Sequence, residues 1–237
     1  MGRPRSRCER KKEDNAEFDT PAPVAAVLDI PAGRIRFIAA DRADTTVEIL
    51  PADPSKARDV KAAEQTTVEY ADAVLRIEAA APKNQILGPS GSVEVTVQLP
   101  AGSGVQAKTA AAELHGVGRL GDVAFDGAQG TVKLDETAGA HLTLLAGDIC
   151  VGRLGGPARI STQKGDIHIT EAVHGTLTLR TESGDVSVGA ARGVSASLDA
   201  ATAYGRINNA LTNTDGAAAG LTIHATTSYG DITTRGH

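Results

Sequence analysis

From Gly139 onward, apolar and polar residues alternate in short runs, and the runs come in pairs separated by glycine. His141-Leu142-Thr143-Leu144 is followed by Ile149-Cys150-Val151, Ile160-Ser161-Thr162 by Ile167-His168-Ile169, and Leu177-Thr178-Leu179 by Val186-Ser187-Val188. Alternation at period two predicts strands with one buried face. A tripeptide sets the phase: Gly147-Asp148-Ile149, Gly165-Asp166-Ile167, Gly184-Asp185-Val186, Gly205-Arg206-Ile207 and Gly230-Asp231-Ile232, at spacings of 18, 19, 21 and 25 residues, with an earlier copy at Gly121-Asp122-Val123. Like residues that return once per coil stack on one another in a solenoid, whereas a sandwich gives no reason for such a period. The predicted fold class is therefore all-β, a single-stranded parallel β-helix (β-solenoid), right-handed by the crossover rule. Six or seven coils rising about 4.8 Å each would make a rod on the order of 30 Å long.

Three regions follow from the regularity of the pattern. Residues 104–237 carry the regular repeats of roughly 18 residues, each with two short strands and glycine at its corners. Residues 18–103 carry fainter strands, such as Gly33 to Ile38, Thr46 to Ile49, Val74 to Ile77 and Val93 to Val97, and read as divergent coils or a cap. A solenoid end needs covering, because an open strand edge invites pairing. Within this region residues 54–66 are expected to form a loop with a helical turn; in the regular repeats, residues 208–219 are expected to form a loop projecting from a corner. Residues 1–17 read as a disordered basic tail: residues 1–14 hold six Arg and Lys against three acids, a net +3, leaving −8 on the remainder.

Composition narrows the core and the partners. Aromatic residues make up only 3%, with no Trp, so the core must be Val, Ile, Leu and Ala, which suit a narrow stacked interior. The acidic repeat body lacks the footprint of a nucleic-acid binder. The basic start is followed by Glu13-Asp14-Asn15 rather than an apolar run, and no 18-residue apolar segment exists, so no membrane span and a cytoplasmic location are expected. Cys8 and Cys150 give neither a disulfide framework nor metal-ligand spacing.

The sharpest candidate chemistry is the column formed by Asp122, Asp148, Asp166, Asp185 and Asp231. Stacked carboxylates repel unless a cation or a donor lies between them, and Ca²⁺ is the cation such a ladder would hold. The G-G-x-G-x-D calcium repeat is absent, however, and Arg206 breaks the column, so the aspartates read as turn residues accepting local N–H groups. His141, His168 and His224 fall on outward positions and match no ligand motif. A polysaccharide lyase or hydrolase would need paired carboxylates or a carboxylate–Arg group, and usually aromatic platforms. Tyr204 and Tyr229 precede equivalent glycines and read as a packing ladder. No catalytic, cofactor-binding or metal residue is assigned, and the protein is expected not to be an enzyme.

The series Val93 to Gly102 (VEVTVQLPAG), Leu144 to Val151, Ser161 to Ile169 (STQKGDIHI), Leu179 to Val188 (LRTESGDVSV) and Thr226 to Ile232 (TTSYGDI) resembles the bacterial putative-adhesin family of β-strand-repeat proteins. In that family T-x-x-G-D-[IV]-x-[IV] recurs along a β-solenoid, and the likeness runs from Phe18 to the C-terminus. The resemblance implies a non-catalytic scaffold, and its adhesin label implies surface attachment; the first expectation is a scaffold that offers its sides or ends to a protein partner or to its own copies, with a surface adhesin as the alternative.

Overall fold

Two legs per turn, joined at a glycine corner, build the molecule. A computed structural model describes residues 9–10, 15–79 and 91–236. The N-terminal part holds β1 (Glu9–Arg10), β2 (Asn15–Asp19), β3 (Ala25–Ala40), β4 (Asp44–Pro51), helix α1 (Ala57–Gln65), β5 (Thr67–Ala71), β6 (Val74–Glu78) and β7 (Val93–Pro100). The repeats hold β8 (Gly104–Gln129), β9 (Val132–Ala146), β10 (Ile149–Leu154), β11 (Ala158–Lys164), β12 (Ile167–Ala172), β13 (Gly175–Ser183), β14 (Val186–Ala190), β15 (Ala196–Tyr204), β16 (Ile207–Ala210), β17 (Leu221–Tyr229) and β18 (Ile232–Gly236). The long strands β3, β8 and β9 run through a corner and serve both legs.

On the leg that follows the glycine corner, residues 33–39, 112–118, 132–137, 149–154, 167–172, 186–190, 232–236 and 207–210 stack in that spatial order, each paired in parallel with the next. Parallel register sets like on like. Ile35, Leu114, Val132, Ile149, Ile167, Val186 and Ile232 form one inward column with no member more than 2% exposed. Burial of this continuous aliphatic column, at about 25 cal/mol per Å² of apolar surface, is the main favourable term holding the rungs together.

The last two coils depart from chain order. β13 pairs with β17 and β14 with β18, while β15 and β16 lie on the far side of β17 and β18. The final coil is thus inserted between the coil of residues 175–190 and that of residues 196–210. Its insertion accounts for the spacings of 21 and 25: the chain climbs past one rung, then returns. Residues 211–220 make the return, anchored where Ser195 Oγ accepts the N–H groups of Thr214 and Asp215, both at 3.1 Å, and Thr212 O accepts that of Ala196 at 3.0 Å.

At the other end both sheets continue past β3. β6 and β7 pair with it in parallel, and the strands beyond turn antiparallel, β5 on β6, β4 on β7 and β2 on β4. The rings of Phe18 (β2) and Tyr70 (β5) meet at 5.2 Å and plug the core there. Ala16 is 2% exposed, so the ordered sheet begins ahead of residue 18; the rest of the expected basic tail, residues 1–8 and 11–14, lies outside the described residues. Residues 57–65 form a full helix rather than a loop with a turn. Ala62 and Ala63 pack half-buried against the core, and the buried carboxylate of Asp59 accepts the Ser92 N–H at 3.0 Å and ties the helix to the start of β7.

Candidate functional site

Three places on the solenoid bring polar or exposed apolar groups together: the glycine corner, a cleft near its N-terminal end, and the C-terminal rung. At the corner, Gly165 (φ +141°) and Gly184 (φ +155°) take a backbone shape open to glycine, and a Cβ on either would overlap the carbonyl of the corner glycine one rung below. Two side chains stitch these corners. Thr181, Thr227 and Thr202 each donate a hydroxyl hydrogen bond of 3.0 Å to the carbonyl of Gly165, Gly184 and Gly230 respectively. Asp148, Asp166 and Asp185 each accept, through Oδ1, the backbone N–H of the next aspartate, Asp166 at 2.9 Å, Asp185 at 2.8 Å and Asp231 at 2.7 Å. Asp231 in turn accepts the N–H of Arg206 at 2.8 Å. The donors that a carboxylate ladder requires are therefore backbone amides.

Two expectations about this column are corrected. Asp122 does not belong to it: Asp122 opposes Gly139 at the start of the other leg, because the Gly121 corner stacks on Ser103. Nor does Arg206 break the column. Since the last coil is inserted, Asp231 follows Asp185 directly and Arg206 ends the series, its Nη2 3.4 Å from Asp231 Oδ2. On the other side of Asp148 the column continues through Thr131 and Glu113 to Arg34, which occupies the equivalent position after Gly33 and lies between Glu113 and Glu94. Among the described residues no group of three His, Cys, Asp or Glu is placed to hold a metal ion.

Arg34 also lines a cleft of about 320 Å³ with Gly33, Ser92, Glu94, Glu113 and Gln129. Its guanidinium donates to Glu94 at 2.8 Å and lies 3.6 Å from Glu113. A glycosidase pair keeps the space between its carboxyl groups for sugar and water. Here the guanidinium occupies that space.

The C-terminal rung is different in kind. Ile207 sits in the inward column yet is 44% exposed, whereas toward the other end Val95 is covered by Ile49 of β4 and is 1% exposed. Leu198 and Ala200 of β15 are half-buried, while their partners Ile223 and Ala225 on β17 are fully covered. At the rim, Tyr204 and Tyr229 stack at 5.0 Å with rings 5° from parallel, and both are largely exposed.

The family model described as Toastrack DUF4097 matches residues 27–235. The chain belongs to the Toastrack family. Among solved structures this Toastrack chain is similar to a putative adhesin from Bacteroides fragilis, at 12% identity over 93% of this chain and 95% of that one, with a TM-score of 0.55. It also matches a putative lipid binding protein from Parabacteroides distasonis, at 13% identity over 92% and 95% with a TM-score of 0.47, and a putative adhesin from Parabacteroides merdae, at 10% over 94% and 93% with a TM-score of 0.41. A comparison with curated proteins finds no match.

In the Toastrack chain the histidines stay apart. His141 and His224 share an outer column with Arg159 and Thr178 between them, and His168 lies on the other leg. His224 Nδ1 lies 3.2 Å from Asp199 Oδ2 on the C-terminal rung. Cys150 stands on an outer face between Lys133 and His168, and partial burial together with the Asp148 charge pushes its thiol above the ordinary value. The Arg34 cleft and the exposed rung went unmarked in the sequence reading. Their signal was there: of the two copies in which Arg replaces Asp, Gly33-Arg34-Ile35 lies in the cleft and Gly205-Arg206-Ile207 on the exposed rung.

Proposed function

We propose that this Toastrack protein is a non-catalytic β-solenoid scaffold that offers its sides or ends to a protein partner or to its own copies, in the cytoplasm. The observation that supports this most is the use of the repeat's recurring polar residues. Thr181, Thr202, Thr227 and the aspartates from Asp148 to Asp231 are all hydrogen-bonded to backbone from one rung to the next, so the motif serves the rod itself. In the Arg34 cleft the two glutamates face one guanidinium rather than a shared substrate space. Pull-down with the full chain from a lysate of its native host tests the reading: retention of a specific protein, or of the chain's own copies, is expected, and recovery of abundant background proteins alone would remove its support. Attachment at a cell surface is the second reading, favoured by the name of the Bacteroides fragilis neighbour. Cell fractionation separates the two, since recovery of the native protein wholly at the surface would favour the second.

A further inference from the structure

We propose that the C-terminal rung, β15 and β16, is a self-association surface through which two copies of this chain join end to end about a twofold axis. The inference rests on the scaffold reading above and supplies it with a surface and a partner.

The rung presents what a further rung would bury. Ile207 is 44% exposed at a position where Ile232, Val186 and Ile167 are each at or below 1%, and Leu198 caps a column whose next members, Ile223 and Leu177, are at 0%. A parallel ladder uses alternate backbone groups of each strand, so β15 and β16 turn their other N–H and C=O groups away from β17 and β18. Thr212 takes the Ala196 N–H. An edge of this kind, partly apolar and, among the described residues, without a strand beyond it, is a template for another strand.

The choice of a second copy comes from the two ends of the rod. The N-terminal end is plugged by Phe18 and Tyr70 and finishes in antiparallel strands, so it offers no matching parallel rung for head-to-tail growth. The surface left to meet an open end is another open end, which gives a closed, isologous pair. Charge agrees. Residues 192–215 hold Arg192, Arg206, Asp199 and Asp215, a net of zero in a chain of net −5, so this segment approaches its own copy without the repulsion that the acidic body would impose. Arg206 and Asp199 stand on the rung itself, 84% and 82% exposed at their side chains, so the rung carries one charge of each sign.

Sedimentation velocity of the full chain from about 1 to about 300 µM reads the outcome. A concentration-dependent dimer is expected; Ile207→Lys should weaken it by about tenfold or more in Kd, and Leu145→Lys, an exposed position on a middle rung, should leave it unchanged. Hydrogen exchange on the unaltered protein gives a second reading, with protection of residues 198–210 rising as concentration rises. A chain that stays monomeric over this range overturns the proposal, as does a dimer that survives Ile207→Lys. If the monomeric chain still retains a host protein, self-association falls and the scaffold reading stands. If Ile207→Lys abolishes that retention, the edge belongs to a different partner and the proposal also falls.

Discussion

Thr109 and Thr181 are both buried threonines of the repeat region, and their hydroxyls have opposite fates. Thr181 donates to Gly165, whereas Thr109 Oγ1 is buried with no hydrogen-bonding partner among the described residues. An unmade buried hydrogen bond costs more than a made one contributes. Replacement by the near-isosteric Val should therefore separate them: Thr181→Val loses about 1–2 kcal/mol, and Thr109→Val is neutral or gains up to about 1 kcal/mol, read from urea midpoints at constant m. Cys150 permits a second test at this scale. Because burial and the Asp148 charge raise its pKa, less thiolate is present at pH 8 than in free cysteine. In a Cys8→Ser background, iodoacetamide should alkylate Cys150 more slowly than free cysteine at pH 8, and the gap should narrow toward pH 10. At the level of single residues the corner glycines and aspartates were legible because their types recur at the coil period. The threonine donors were visible only as letters in T-x-x-G, since nothing in that spacing says that the hydroxyl reaches back to the glycine of the neighbouring rung.

Among the elements, α1 is the one whose type was misread. At nine residues it is too short to set a clear period, and what starts it is local: Asp53 accepts the Ser55 N–H at 3.0 Å and its hydroxyl at 2.6 Å, and pairs with Lys56 at 3.0 Å. These hydrogen bonds, those of Ser55 foremost, hold the Asp53 carboxyl down at about 2. A depressed carboxyl adds stability that is complete above its unfolded pKa, near 4, and is lost as pH falls through the folded value. Asp53→Asn should therefore lower Tm slightly at pH 7, with the gap to the parent closing between about pH 4 and pH 2. Helix signal by circular dichroism follows the same window. The strands themselves were readable from alternation, and their pairing in parallel from the repeat; the antiparallel turn taken by β2, β4 and β5 carries no periodic mark, because it happens once.

For the whole molecule, spacing carried more than its first reading took from it. Intervals of 18 and 19 residues mean one rung of climb; the intervals of 21 and 25 record a rung passed over and then filled. Sequence cannot order such rungs, because Ile207 and Ile232 fit the same column equally well and only exposure distinguishes the outer from the inner. The order has a consequence for truncation. Removing residues from 221 onward withdraws β17 and β18 from between two rungs and leaves β15 and β16 without partners, so the shortened chain should lose protection over residues 196–210 as well as the deleted part. Hydrogen exchange on the truncated chain measures this. In an array stacked in chain order, deleting the last repeat would leave its predecessor in place.

The inserted coil also decides how this rod bears tension. A terminal rung at the outside of a stack peels, one hydrogen bond failing after another. Force applied beyond Gly236 meets β18 and β17 held on both sides, by β14 and β13 on one and by β16 and β15 on the other. Both ladders must shear together before the chain can be drawn out, and the C-terminal tether is thereby held as an inner rung is.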